Sequence, residues 1–417
     1  MKPVSLSKAS KNSSSAQSKK KIQQRELTHS LGFMFALALA FFGSYAEAQS
    51  LTVLYNFTGS PDGAAPFADL VRDSEGNLYG TTLVGGNNSG TVFEVSANGT
   101  ETILHTFRGK RDGSEPWAGL VRDRQGNLYG TTGNGGAFNF GVVFEVTKAG
   151  KERVLYSFAG LPDGQHPMAG LVRDAAGNFH GTTSGGGGGN CNYGAGCGTV
   201  FMLSNSGTET VLHSFTGGTM DGATPVARLV RDASGNLYGT TNGGGASGLG
   251  TVFKVDPTGK ETVLYSFAGY PTDGANPAAG LIWHAGKLYG TTSGGGAYSY
   301  GTVFRVTKTG GESVLYSFGG TLSDGRDPEA GLIGDAAGNL YGTTERGGGT
   351  ICAGNGCGTV FKLTKDGKET VLCAFAVGND ASIPAAGVIL DAEGNLYGTT
   401  SNGGTAGGPG TVFKLTP

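Results

Sequence analysis

A phrase of seven residues, Gly-Asn-Leu-Tyr-Gly-Thr-Thr, recurs along the chain with few changes. The glycine that precedes Thr-Thr stands at Gly80, Gly130, Gly181, Gly239, Gly290, Gly342 and Gly398. The seven copies are therefore spaced 50 to 58 residues apart. A repeat of this length is one supersecondary unit that cannot bury its apolar face alone, so successive copies must stack against one another.

Each unit contains four short segments rich in β-branched and aromatic residues, which predict four strands, A to D. Strand A is predicted at 118–121, strand C at 90–95 and strand D at 262–267. Strand B coincides with Asn-Leu-Tyr-Gly-Thr-Thr. The A–B and C–D connections are short and contain glycine, which predicts tight hairpin turns.

The amount of glycine narrows the fold class further. Glycine makes up 79 of the 417 residues, about 19%, against a usual share of roughly 7%. A helical protein is excluded because glycine in a helix interior is about 1 kcal/mol less favourable than alanine. Collagen is excluded because there is no Gly-X-Y period, and the 22 Phe and 15 Tyr at regular positions argue against disorder.

The order of the strands favours a closed ring. Four antiparallel strands per unit are typical of a β-propeller blade, whereas the coils of a β-helix, the main alternative, are far shorter. After residue 48 the chain opens with a lone D segment at 52–57 and ends with A, B and C segments. We therefore predict an all-β, seven-bladed β-propeller of four-stranded antiparallel blades over residues 49–417, in which the N-terminal strand completes the last blade.

Residues 1–48 have a different character. A basic stretch ending at Arg25 precedes an apolar run at 31–43, and Ala46-Glu47-Ala48 has the small-x-small pattern of a cleavage site. A membrane anchor is the alternative, but the run is shorter than the roughly 20 residues that span a bilayer. We predict a signal peptide at 1–48 and a secreted, periplasmic or cell-surface protein without membrane attachment after cleavage.

Cleavage would leave a mildly acidic protein. Residues 1–48 carry seven of the 30 Lys and Arg and two of the 32 Asp and Glu, so the remainder has a net charge of −7. Such a surface would repel phosphate backbones, and nucleic acid is not expected as a partner. We expect a monomer that needs no cofactor.

The repeat consensus, GLVRDxxGNLYGTT–GG–GTVFxV–GxETVLYSF, resembles the GloVer tandem repeat of exported bacterial proteins described as "choice-of-anchor". The resemblance covers all seven units, about residues 51–416. It implies an exported or cell-surface repeat protein and does not imply a particular activity.

Residues that recur in every unit are predicted to pack between blades, because a binding site on a ring usually breaks its symmetry. One D-strand position holds Leu54, Leu104, Leu155, Leu212, Leu264, Leu315 and Leu372. Another holds Phe57, Phe107, Phe158, Phe215, Phe267, Phe318 and Phe375. The strand B tyrosines, such as Tyr79, are expected to pack similarly, with the hydroxyl near solvent or a backbone partner.

An Asp-Gly pair before strand A also recurs. Its aspartates are Asp62, Asp112, Asp163, Asp221, Asp273, Asp324 and, with alanine in place of the glycine, Asp380. These carboxylates could attract cations, but Ca²⁺ needs several converging oxygens, and one carboxylate per blade is too dispersed. We therefore interpret them as turn residues, and no metal site is predicted.

Four cysteines occupy equivalent loops between strands B and C. Cys191 and Cys197 belong to the third unit, and Cys352 and Cys357 to the sixth. In an oxidising compartment this placement predicts two local disulfides, Cys191–Cys197 and Cys352–Cys357. A metal site made from all four is the alternative, but the two units are three blades apart. Cys373 is predicted to be a buried thiol outside both links.

The sequence constrains the function of this protein less than it constrains the fold. The chain has six His and lacks a nucleophile elbow, zinc spacing or phosphate loop, so no catalytic residue is predicted. The B–C loops of some units carry aromatic residues that suit stacking on a glycan or protein ligand. They are Phe138, Phe140, Tyr193, Tyr298 and Tyr300. The alternative to a binding module is a polysaccharide hydrolase or lyase with acids such as Glu345 or Asp335 near the central channel.

Overall fold

The computed structural model describes residues 49–191, 194–350, 352, 354–376, 381–404 and 408–416. In these residues the chain forms seven four-stranded antiparallel sheets, each joining strands in the order A, B, C, D. The predicted all-β, seven-bladed propeller is therefore confirmed. The predicted signal peptide at 1–48 lies outside the described residues.

The strands follow the repeat, one of each kind per blade. Strand A comprises Val71–Arg72, Val121–Arg122, Val172–Arg173, Val230–Arg231, Ile282–His284, Ile333–Gly334 and Ile389–Leu390. Strand B comprises Leu78–Thr82, Leu128–Thr132, Phe179–Thr183, Leu237–Thr241, Lys287–Thr292, Leu340–Thr344 and Leu396–Thr400. Strand C comprises Thr91–Val95, Val142–Val146, Thr199–Leu203, Thr251–Val255, Thr302–Val306, Thr359–Leu363 and Thr411–Thr416. Strand D comprises Glu101–Thr106, Glu152–Ser157, Glu209–Ser214, Glu261–Ser266, Glu312–Ser317, Glu369–Ala374 and, in blade 7, Ser50–Asn56.

The ring closes through the first strand. Ser50–Asn56 pairs antiparallel with Thr411–Thr416, from Ser50 opposite Thr416 to Asn56 opposite Thr411. This confirms that the N-terminal strand completes the last blade. The prediction was less accurate for strand A, which spans only two residues in most blades and begins at Val121 in blade 2, because the Ala-Gly-Leu before it runs along the channel without pairing.

Each glycine before Thr-Thr is required by a phenylalanine in the neighbouring strand. Gly80 in strand B lies opposite Phe93 in strand C, and a Cβ at Gly80 would lie 2.6 Å from the Phe93 Cζ atom. The same overlap occurs in the other six blades. The ring of the strand C phenylalanine therefore covers the strand B backbone, which explains why glycine recurs inside a strand.

The other recurring residues join one blade to the next. The Phe57 ring, at the end of the blade 7 D strand, packs edge-to-face on Phe93 of blade 1 at 5.0 Å between centroids, and both are buried. The Thr399 hydroxyl in blade 7 donates to the Ala68 carbonyl of blade 1 at 3.3 Å. Equivalent contacts occur around the ring, so the predicted blade-to-blade role of the phenylalanines is confirmed.

Short backbone pairs join the D–A and B–C loops at one end of the blades. They are Gly164–Gln165 with Gly185–Gly186, Gly222–Ala223 with Gly243–Gly244, Gly274–Ala275 with Gly294–Gly295, Gly325–Arg326 with Arg346–Gly347, and Ala381–Ser382 with Asn402–Gly403. Single bridges from Ala64 to Val84 and from Ser114 to Asn134 occupy the same place in blades 1 and 2. We call this end of the propeller the loop face.

Candidate functional site

A ring of strained backbone lies on the loop face. The residue before the last proline of each D–A loop has a positive φ, between 54° and 59°, although none is glycine. The seven residues are Ala65, Glu115, His166, Thr224, Asn276, Asp327 and Ile383. Positive φ is unfavourable for most residues and a marked outlier for β-branched ones such as Thr224 and Ile383. We call these seven residues the strained ring.

Main-chain hydrogen bonds hold the strained ring in place. The N–H of Glu115 donates to the Ser89 carbonyl of the preceding blade at 3.0 Å, and its carbonyl accepts from the Gly133 N–H of its own blade at 2.9 Å. Every member makes the same two bonds, at 2.7–3.0 Å and 2.9–3.3 Å. The conformation therefore follows from joining two blades and does not depend on the side chain, which differs in every copy.

The loop face opens into a central cavity of about 710 Å³ lined by strand A and the residues before it in all seven blades. Binding cavities for small molecules usually measure roughly 300–1,000 Å³. One residue per blade, four positions before the start of strand A, forms the mouth of this cavity. These mouth residues are Phe67, Trp117, Met168, Val226, Ala278, Glu329 and Ala385.

The mouth is chemically asymmetric. Blades 1 to 4 contribute the four large apolar residues, and the Phe67 and Trp117 rings lie 5.4 Å apart. Blade 6 contributes the carboxylate of Glu329 to the same opening. An apolar arc on one side and an acid on another is a combination that orients a ligand with both apolar and polar faces.

Three acids gather at the blade 6 side of the mouth: Asp327 of the strained ring, Glu329 and Glu345. Glu329 is exposed within the channel, yet the surrounding walls desolvate its carboxylate. Its pKa is raised first by that desolvation and then by the negative charges of Glu345 and Asp327. Arg346 lies 3.4 Å from Asp327 and partly offsets the acidic charge.

Below the mouth, five blades carry glycine at the position that faces the channel, and two carry charges. Asp69 in blade 1 accepts a hydrogen bond from the Gly387 N–H at 2.7 Å. Arg228 in blade 4 donates from Nε to the Leu171 carbonyl at 3.1 Å. Both side chains are exposed, so this level of the channel carries one charge of each sign, three blades apart.

The predicted aromatic residues fall into two groups. Phe138 and Tyr298 are exposed by 58% and 51%, and both lie in B–C loops on the loop face. Phe140 and Tyr300 cover the backbone of the following D–A loop, at Gly160 and Gly319, and Tyr300, which is 37% exposed, also stacks against the Arg326 guanidinium at 4.4 Å. Tyr193 lies outside the described residues.

The disulfide predictions are confirmed. Cys191 is bonded to Cys197 and Cys352 to Cys357, each within one loop on the loop face. Cys197 and Cys357 are fully buried at the position that Phe140 occupies in blade 2, and the Cys191–Cys197 link replaces an aromatic ring as the cover of the adjacent loop at Gly217. Cys373 is half-buried in the blade 6 D strand, outside both links.

The acids proposed from sequence are separated by the fold. Glu345 lies beside Glu329 at the mouth, as its effect on the pKa of Glu329 requires. Asp335 lies in an A–B turn at the other end of its blade and accepts bonds from the Asn339 N–H and the Tyr341 hydroxyl. The hydroxyl of a strand B tyrosine thus pairs with a carboxylate and not, as expected, with solvent or backbone.

The aspartates of the Asp-Gly pairs bind their own loops. The carboxylate of Asp62 accepts hydrogen bonds from the Thr58 N–H and hydroxyl and, at 2.7 Å, from the Tyr55 hydroxyl. These bonds agree with a turn role. In blades 1 and 3 histidine replaces the tyrosine, and His213 Nε2 lies 3.4 Å from Asp221 Oδ1.

A glutamate of the next blade adjoins each of six such aspartates. These glutamates begin the D strands and are Glu101, Glu152, Glu209, Glu261, Glu312 and Glu369. Burial, followed by the nearby aspartate, raises the pKa of each to about 7. One carboxylate oxygen of each is buried without a hydrogen-bond partner. We call these residues the interblade glutamates.

Sequence reasoning missed the mouth residues. Phe67, Trp117 and Glu329 directly precede the recurring apolar segment of strand A, and no role is predicted for them from the sequence. The available signal was variation: this position holds six residue types in seven units, whereas the next holds alanine in all seven. In a repeat protein, positions that vary between units are the ones that packing leaves unspecified.

Fold and site together define a ring-closed β-propeller whose chemically distinct residues surround one end of a central channel. The chain belongs to the Gloeobacter/Verrucomicrobia repeat family, whose model matches residues 28–195 and 192–413. The sequence matches no curated protein. No helix in the described residues has the length and apolar character needed to cross a membrane.

Solved structures share the architecture at low sequence identity. The extracellular domain of a putative hybrid two-component system from B. thetaiotaomicron is 12% identical, with a TM-score of 0.55 over 88% of this chain and 39% of that one. A second structure, the extracellular domain of a putative one-component system from the same organism, is also 12% identical. Its TM-score is 0.53 over 86% of this chain and 39% of that one. A putative 6-phosphogluconolactonase from Bacteroides uniformis is 15% identical, with a TM-score of 0.47 over 73% of this chain and 83% of that one. This chain therefore spans about two fifths of the first two proteins, and the likeness to them concerns the fold alone.

Proposed function

We propose that this protein is an exported binding module that holds a carbohydrate at the mouth of its central channel. The observation that carries the proposal is the asymmetric mouth, with the rings of Phe67 and Trp117 on one arc and the carboxylates of Glu329 and Glu345 on another.

Sugars combine the two kinds of surface that this mouth offers. The C–H face of a pyranose packs on an aromatic ring, and its hydroxyls donate hydrogen bonds to carboxylates. The exposed rings of Phe138 and Tyr298 on the same face would extend contact along a polymer. The rigid strained ring supports such a site, because a preorganised surface loses little entropy on binding.

An extracellular location is part of the proposal. Two disulfides favour an oxidising compartment. The predicted leader at 1–48 and the similarity to bacterial extracellular domains agree with export.

The test uses the two tryptophans of the chain as a matched pair. The purified protein is screened against a panel of soluble polysaccharides, and binding is scored by retention in affinity electrophoresis. Trp117→Ala should weaken retention at least tenfold. Trp283→Phe, which changes the tryptophan near the A–B turn end of the same channel, should leave retention unchanged.

The Trp283→Phe variant also leaves Trp117 as the sole tryptophan, so its fluorescence should shift when the retained polymer is added. Retention that is unaffected by Trp117→Ala would contradict the proposed site. Retention of no polymer by the wild type would favour a protein ligand over a carbohydrate.

A second candidate, an exported polysaccharide hydrolase or lyase, is favoured by one observation. Two carboxylates adjoin at the mouth, and the pKa of one of them, Glu329, is raised, as a general acid requires. Release of reducing ends or unsaturated products from a retained polymer, abolished by Glu329→Gln, would establish this activity. Retention without product release would leave binding as the function.

A further inference from the structure

A compact set of metal-binding side chains lies away from the mouth, between the outer strands of blades 3 and 4. His213 belongs to the blade 3 D strand, Asp221 to the following loop, and Glu261 to the blade 4 D strand. One imidazole nitrogen and one oxygen from each carboxylate all lie within 4.8 Å of one another. Among the described residues, no other group of three or more His, Cys, Asp or Glu side chains converges so closely.

The distances between these ligand atoms suit a metal ion with tetrahedral coordination. Ligand atoms about 2.0–2.1 Å from Zn²⁺ at tetrahedral angles are about 3.4 Å apart, and His213 Nε2 lies 3.4 Å from Asp221 Oδ1. Glu261 Oε1 is buried and lacks a hydrogen-bond partner, so moving it onto an ion would break no existing bond. The side chains of His213 and Asp221 are only 19% and 13% exposed, so the position is only partly open to water.

The other blades show what is particular to this set. At the equivalent of His213, four blades carry a tyrosine whose hydroxyl donates directly to the loop aspartate, at 2.7 to 3.0 Å. Blade 1 carries His105, but its Nε2 lies 3.6 Å from Asp112, and its set does not converge within the same limit. A neutral phenol is a poor ligand for a divalent ion, whereas imidazole is a common one.

We propose that His213, Asp221 and Glu261 bind a divalent first-row cation of the Zn²⁺ type, with water completing the coordination. An imidazole and two carboxylates are a donor set that suits Zn²⁺ better than Ca²⁺, which prefers six or more oxygens. The ion would join the outer edges of two neighbouring blades. It would bring a positive charge to two partly buried carboxylates and give Glu261 Oε1 a partner.

The experiment titrates the purified full chain, after treatment with a chelator, with Zn²⁺ in a calorimeter and with Co²⁺ in a spectrophotometer. The wild type should bind one equivalent, and Co²⁺ should give the d–d absorption of a four-coordinate site. His213→Tyr introduces the residue found in four other blades, so it should fold and should lose at least tenfold in affinity. His105→Tyr is the matched control and should bind as the wild type does.

A gain of function provides an independent test. Tyr265→His places an imidazole beside Asp273 and Glu312, where Glu312 also has a buried oxygen without a partner. This variant should bind a second equivalent. Saturating Zn²⁺ should raise the melting temperature of the wild type and of His105→Tyr, but not that of His213→Tyr. Absence of binding by the wild type, or equal binding by His213→Tyr, would overturn the proposal.

Discussion

The interblade glutamates should make the propeller less stable at alkaline pH. Glu101 illustrates the effect, because burial and the neighbouring Asp62 raise its pKa from 4.5 to about 7. The folded state therefore holds this proton more tightly than the unfolded state does. The resulting stabilisation is fully present below about pH 4.5, and it is lost as the pH rises through about 7.

The magnitude follows from the displacement of the pKa. A change from 4.5 to about 7 corresponds to about 3 kcal/mol, at about 1.4 kcal/mol per pH unit. Glu101 is only partly buried, and water screens its charge, so we expect on the order of 1 kcal/mol. Six such residues would together lower the free energy of unfolding by several kcal/mol between pH 4.5 and 8.5.

The assay measures the free energy of unfolding in urea at pH 4.5 and 8.5 for the wild type and for Glu101→Gln. Glutamine resembles the protonated acid, so the variant should match the wild type at pH 4.5 and exceed it by about 1 kcal/mol at pH 8.5. Glu75→Gln, at an exposed glutamate in an A–B turn, is the control and should show no such difference. If Glu101→Gln gains nothing between the two pH values, the interblade carboxylates are not desolvated as described.

Three further predictions concern closure, the disulfides and the binding face. Deleting residues 49–58 removes the strand that closes the ring and the buried Phe57, so the free energy of unfolding should fall by at least about 4 kcal/mol. Unchanged thermal stability would refute the closure mechanism. Non-reducing peptide mapping should recover the two disulfides, and a link between the two blades would contradict the assignment. Because the bonded cysteines are five and six residues apart, reducing each link should lower the free energy of unfolding by about 2 to 3 kcal/mol. Replacing the exposed Phe138 and Tyr298 with serine should weaken retention on a polymer bound by the wild type without lowering the melting temperature. Retention that survives these changes but is lost on altering the A–B turns would place the site on the opposite face.

The fold could be predicted from sequence because the residues that build it recur. Gly80 and Phe93 must appear together in each blade, since the ring occupies the space that a Cβ would need. The same repetition revealed the ring closure and the paired cysteines. Strand A was placed too early because its Ala-Gly-Leu is apolar, and an apolar pattern does not distinguish a paired strand from a channel lining.

The site could not be predicted in the same way. Trp117 and Glu329 come to line one cavity only because seven inner strands converge on the channel, and no local sequence pattern indicates that convergence. The positive φ of Ile383 was equally hidden, because an isoleucine before a proline predicts extended backbone. Its conformation is imposed by bonds to Cys357 and Ser401, which lie in different blades.

The strained ring has a consequence for how such proteins diversify. Its geometry depends on N–H and carbonyl groups, so alanine, isoleucine and histidine occupy equivalent positions on an unchanged backbone. A chain assembled by duplication can therefore alter each copy separately, without insertions and without compensating changes in the core. Seven independently variable side chains at fixed spacing around one opening form a display surface. New specificities can arise on it by point substitution alone.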